Sequence, residues 1–114
     1  DAAVAEVTRA RESGLRGGAL IPSMWLDNPP YHDKRYDPFW AAAQAHDMKL
    51  SLHSLTSKRT NFNTDQHGLV YRSVVLYQEV VRSITDLILH GTLERFPGLR
   101  VVSAENEIAW SGMA

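Results

Sequence analysis

No cysteine occurs in the 114 residues, so disulfides and thiolate metal sites are excluded, and any metal must be held by histidine and carboxylate. Neither sign of charge dominates: 12 basic and 13 acidic side chains leave a net charge of -1. That balance gives no electrostatic case for binding nucleic acid or an anionic membrane. No apolar run approaches the roughly 20 residues needed to span a bilayer. The opening Asp-Ala-Ala-Val-Ala-Glu lacks the basic and then apolar build of a secretory leader. No Gly-x-Gly-x-x-Gly follows any apolar run, and Gly17-Gly18 precedes one, on the wrong side for a phosphate cradle. Internal repeats, low-complexity tracts and an inter-domain linker are also missing. What remains is an ordinary composition, 44% hydrophobic and 22% charged, suited to one modest domain, and the missing cysteine fits a cytoplasmic setting.

What is present alternates. Asp1 caps a helix running to about Glu12, with Val4 and Val7 on its apolar stripe and Gly14 as its stop. A strand, Ala19 to Ile21, ends at Pro22. A long loop follows from Ser23 to Tyr36, rich in turn formers and aromatics (Trp25, Tyr31, Tyr36), and loops of this length are more often functional than plain. Asp37-Pro38 reads as an N-cap and first helical position for a helix through His46. Lys49-Leu50-Ser51-Leu52-His53 is the second strand, and a polar loop from Ser54 to Gln66 follows it. Val70, Val74, Val81, Ile84 and Ile88 recur at helical spacing over Leu69 to Leu89. After Thr92–Phe96 and the Pro97-Gly98 stop, a third strand begins at Leu99. The order α-β-α-β-α-β predicts an α/β fold with a parallel sheet and right-handed crossovers.

In such folds the residues just past the carboxyl ends of strands face the ligand crevice. His53 and Glu105 both fall there. A strand-end imidazole suits a metal ligand, and Glu105 suits a general base or the orienting of a metal-bound water. Against these stand a histidine satisfied by hydrogen bonds and a carboxylate paired with arginine. Asn106 either meets a substrate carboxylate or caps the next helix, and Glu107 reads as structural. Trp25 and His32 are the loop residues expected to touch substrate, whereas Tyr36 reads as packing. Lys58 and Arg59 suit a substrate carboxylate, although a solvated loop is the commoner fate of such a pair. His32, His46, His67 and His90 share no metal-ligand spacing, and His46 and His90 sit at helix ends where the dipole favours them.

Three motifs add a resemblance: Asp37-Pro38-Phe39-Trp40-Ala41-Ala42-Ala43 with the strand closing on His53; Asp86–Leu99, most specific in its run Leu93-Glu94-Arg95-Phe96-Pro97-Gly98-Leu99; and Val101–Trp110. Together they resemble the metal-dependent amidohydrolase-2 family of (β/α)8 barrels, which includes aminocarboxymuconate-semialdehyde decarboxylase and related hydrolases. The resemblance implies that residues 1–114 are an internal, partial barrel domain. They would form consecutive βα units, about strands 4–6, with helices outside. It implies that His53 ligates a divalent metal, zinc by preference. Glu105 stands where many members carry a catalytic histidine. The first-strand His-x-His and the eighth-strand aspartate of the family have no counterpart here. The expected function is hydrolysis or decarboxylation of a small organic acid, in a homo-oligomer. The rival expectation is a non-catalytic segment that binds no metal and self-associates through open sheet edges.

Overall fold

The computed structural model describes residues 2–24, 28–54, 56 and 68–106, the side chains of residues 68–77 excepted. Three short strands, β1 (Ala19–Ile21), β2 (Leu50–His53) and β3 (Val101–Ala104), lie parallel and side by side in chain order. Their register puts Leu20, Ser51 and Val102 in one row, flanked by the row Ile21, Leu52 and Ser103. Because side chains alternate along a strand, Leu50 and Leu52 point one way and Ser51 and His53 the other. Leu50 and Leu52 are fully buried under the helices, whereas Leu20 and Val102, in line with Ser51, are exposed. One face of the sheet is therefore covered and the other bare.

The covering layer is α1 (Ala2–Glu12), α2 (Asp37–Ala45), α3 (Gly68–Leu89) and the single turn α4 (Thr92–Arg95). Trp40 and Ala43 of α2, one turn apart, join Leu50, Leu52, Val80, Leu87 and Leu99 in one core. Gly14 takes φ +82°, the left-handed conformation that ends α1, and its N–H bonds to the Arg11 carbonyl. Gly18 is needed for a different reason: a Cβ there would stand 2.7 Å from the Lys49 carbonyl oxygen, the acceptor for the Ala19 N–H that starts the β1–β2 ladder.

Two local readings change. Asp37 is not the N-cap but the first residue of α2, because a 3₁₀ turn (Lys34–Tyr36) leads into the helix, capped by Asp33 accepting from the Arg35 N–H at 2.9 Å. The third strand starts at Val101 rather than Leu99, since the Leu99 N–H closes a turn onto Phe96.

The Leu93–Leu99 motif ties α4 to α2. Arg95 pairs with Asp37 at 3.0 Å, the Gly98 N–H donates to Gln44 Oε1 at 2.7 Å, and Leu99 enters the core. At the other end of α2, Arg11 spreads its guanidinium over three carbonyls. It donates from Nε to His46 (2.7 Å), from Nη1 to Leu15 (3.0 Å) and from Nη2 to Asp47.

Candidate functional site

His53 is the last residue of β2, and Glu105 directly follows β3, its neighbour in the sheet. Parallel pairing therefore brings both to one end of the sheet, where Nε2 of His53 lies 3.1 Å from Oε2 of Glu105. Nδ1 of His53 is 2.6 Å from the Ser54 carbonyl oxygen. A carbonyl only accepts, so Nδ1 carries a proton and fixes the ring. In the neutral ring Nε2 is then a lone pair facing a carboxylate. Two lone pairs do not face each other at that distance without a proton or a cation between them.

Glu105 takes φ +57°, in the left-handed region that a residue with a Cβ enters at a cost of about 1–2 kcal/mol. That conformation turns its carboxylate back over His53. Asn106 holds the turn: it is 2% exposed, and its Nδ2 donates to the carbonyls of Leu52 (3.4 Å) and Ala104. Thr56 does the equivalent on the other side. Its hydroxyl donates to the His53 carbonyl at 2.8 Å and accepts from the Ser23 N–H at 2.8 Å, tying the segment after β1 to the strand end that carries His53.

A second histidine–carboxylate group lies in the helical layer. His32, in the loop between β1 and α2, places Nδ1 2.7 Å from Asp86 Oδ1, and its backbone N–H donates to Oδ2 at 2.8 Å. His90, four residues after Asp86 and just past the end of α3, has Nδ1 3.1 Å from the Asp86 carbonyl and 3.4 Å from Oδ1. The rings of His32 and His90 stack, with centroids 3.8 Å apart and 15° between planes. Ser83, one turn earlier, accepts the Met24 N–H at 2.7 Å. Buried polar residues on α3 thus satisfy the backbone of the long loop, which would otherwise hold unpaired N–H groups.

The structure accordingly brings together His53, Glu105 and Asn106 and gives His32 a different set of polar partners. Tyr31 packs edgewise on both Tyr36 and Trp40, and Tyr36 lies tilted against Trp40; Tyr31 is buried, and its hydroxyl donates to the Pro22 carbonyl. His46 caps the end of α2 beside Thr8, 3.3 Å from its hydroxyl. Trp25, Lys58, Arg59, His67 and Glu107 lie outside the described residues. Thr56, Ser83 and Asp86 were missed by sequence reasoning. Only Asp86 had a local signal, an acid four residues before a histidine on one helix face, in a stretch otherwise read as apolar.

No curated protein matches the chain. A family model described as amidohydrolase matches residues 1–110. Members of that family typically bind a divalent metal. The parallel sheet, its helical cover and that match together assign the chain to the amidohydrolase family.

Proposed function

We propose that the chain forms consecutive βα units, about the fourth to the sixth strands, of a (β/α)8 barrel that works as a metal-dependent hydrolase or decarboxylase on a small organic acid. The bare face supports the barrel reading, since parallel sheets are almost always covered on both faces. Leu20 and Val102 would then point to the barrel interior, and His53 and Glu105 would stand at its catalytic mouth.

The observation that carries the reading is the His53–Glu105 pair at adjacent strand ends. Nε2 and Oε2 supply one nitrogen and one oxygen donor, a set that suits zinc-class ions, so the residues fit the group the family implies. His53 would be a ligand, its tautomer fixed by Ser54. A bound divalent ion would supply Lewis-acid polarisation of a carbonyl or carboxylate oxygen. Glu105, exposed enough to meet substrate, would take a proton from an attacking water in hydrolysis or return one to the carbon that loses carboxylate. Asn106 would act as a positioning residue through its grip on both strand ends, and Trp25 remains proposed as a substrate contact. Nucleic acid and membrane are not proposed partners. A homo-oligomer and a cytoplasmic setting complete the proposal.

The test uses the complete protein, its zinc content and two probe panels: simple amides and lactones for hydrolysis, and hydroxybenzoates for carbon dioxide release. His53→Ala is expected to lower bound zinc. Glu105→Gln is expected to keep the zinc and lower kcat by about 10²–10⁴-fold with little change in KM. Unchanged zinc in His53→Ala, or full activity in Glu105→Gln, would sink this assignment.

A further inference from the structure

We infer that His32, Asp86 and His90 form a second cation site, specific for one zinc-class divalent ion and separate from the strand-end pair. Each of the three offers a ligand atom, and these atoms all lie within 4.8 Å of one another. They come from two elements. Asp86 lies in the last turn of α3, His90 follows four residues later just past the end of that helix, and His32 arrives from the loop between β1 and α2.

The spacing is close to what a tetrahedral ion requires. Zinc bonds of roughly 2.0–2.2 Å place neighbouring ligand atoms about 3.3 Å apart. Nδ1 of His90 already stands 3.4 Å from Oδ1 of Asp86. Nδ1 of His32 stands 2.7 Å from the same oxygen and needs to open by about half an ångström to reach that spacing. The atoms now joined by hydrogen bonds are the ones that would ligate. On binding, each neutral imidazole carries its proton on Nε2 instead of Nδ1, an exchange made through solvent. His90, half-exposed, is free to turn out of the ring stack so that its lone pair lies in line with the ion.

Chemistry sets the class of ion. Two imidazole nitrogens with one carboxylate favour zinc, cobalt or nickel over magnesium or calcium, which want oxygen. The carboxylate is fixed before any ion arrives: Asp86 is 9% exposed and also accepts the His32 backbone N–H. Three protein ligands leave one coordination position, which opens to a cleft of about 530 Å³ between the loop and α3. Binding would pin that loop to the end of α3, because His32 belongs to the loop, Asp86 to the helix and His90 to the turn that follows it.

The experiment takes away both strand-end residues to expose the second site. In the complete protein carrying His53→Ala and Glu105→Gln, one equivalent of cobalt(II) is expected to bind with the intense visible absorption of tetrahedral coordination, and zinc is expected to raise the thermal midpoint. Adding His90→Gln, a half-exposed position that keeps the helix, is expected to abolish both effects. Imidazole nitrogen NMR of the same background is a second readout that needs no further variant: Nδ1 of His32 and of His90 should move on zinc addition. A background protein that binds no cobalt overturns the inference, as does binding that survives His90→Gln or zinc uptake that leaves both Nδ1 signals in place. Loss of the strand-end site in His53→Ala is scored separately against the unsubstituted protein, so either site can fail without the other.

Discussion

The two histidine–carboxylate groups use the same kinds of atom and differ in what holds the acid. Glu105 is 77% exposed, sits in a left-handed turn and, among the described residues, pairs with His53. Asp86 is 9% exposed, sits in regular helix and accepts from a backbone N–H as well as from imidazole. The first arrangement keeps a carboxylate available to an incoming molecule at some cost in backbone energy. The second uses a carboxylate to fasten a loop. Exposure, more than the identity of the residues, separates a group poised for chemistry from one that organises structure.

The contrast can be broken in order of size. Asp86→Ala leaves the His32 N–H unpaired and the loop unfastened, with an expected loss of about 3 kcal/mol in urea unfolding. Glu105→Ala is expected to stay within about 0.5 kcal/mol of the parent by the same measurement. Equal losses in the two variants would erase the distinction. Thr56→Val removes the bridge between Ser23 and His53, with an expected loss of about 1.5 kcal/mol and looser His53 geometry, read as slower turnover.

Tyr31, next to His32, tests the fastened loop from the alkaline side. Burial pushes its phenol above the ordinary value of 10.0. A raised folded value means that the stabilisation is complete below pH 10.0 and is lost as pH rises beyond it, because the unfolded chain ionises first. Urea midpoints compared at about pH 9 and about pH 11 should show a loss of about 1.4 kcal/mol per pH unit above the ordinary value. Tyr31→Phe should flatten that slope. Glu105→Gly acts in the opposite direction, because it relieves the left-handed strain. It is expected to raise the unfolding free energy by about 1 kcal/mol while removing the carboxylate from His53.

Periodicity and punctuation made the architecture legible. Gly14, Pro22, Pro38 and Pro97-Gly98 mark element ends, and the alternating elements implied the parallel sheet that sets His53 beside Glu105. The 3₁₀ turn before α2 was hidden because Asp33 and Asp37 both look like caps, and only the backbone tells which one accepts. The His32–Asp86–His90 group was out of reach for another reason. His32 and Asp86 are 54 positions apart, and what joins them is the descent of a long loop along a helix, which no local spacing encodes. Nothing near Asp86 in the sequence names the loop residue whose N–H and imidazole face its carboxylate.

Arg11 has a consequence that reaches beyond its own contacts. One guanidinium terminates two helices, taking the carbonyl of Leu15 just past α1 and those of His46 and Asp47 just past α2. The two helices therefore share a single lock, and damage to it is not divisible. A substitution that weakens the end of α1 and another that weakens the end of α2 should each cost nearly as much as both together. For unfolding, the first and second helical units would behave as one piece.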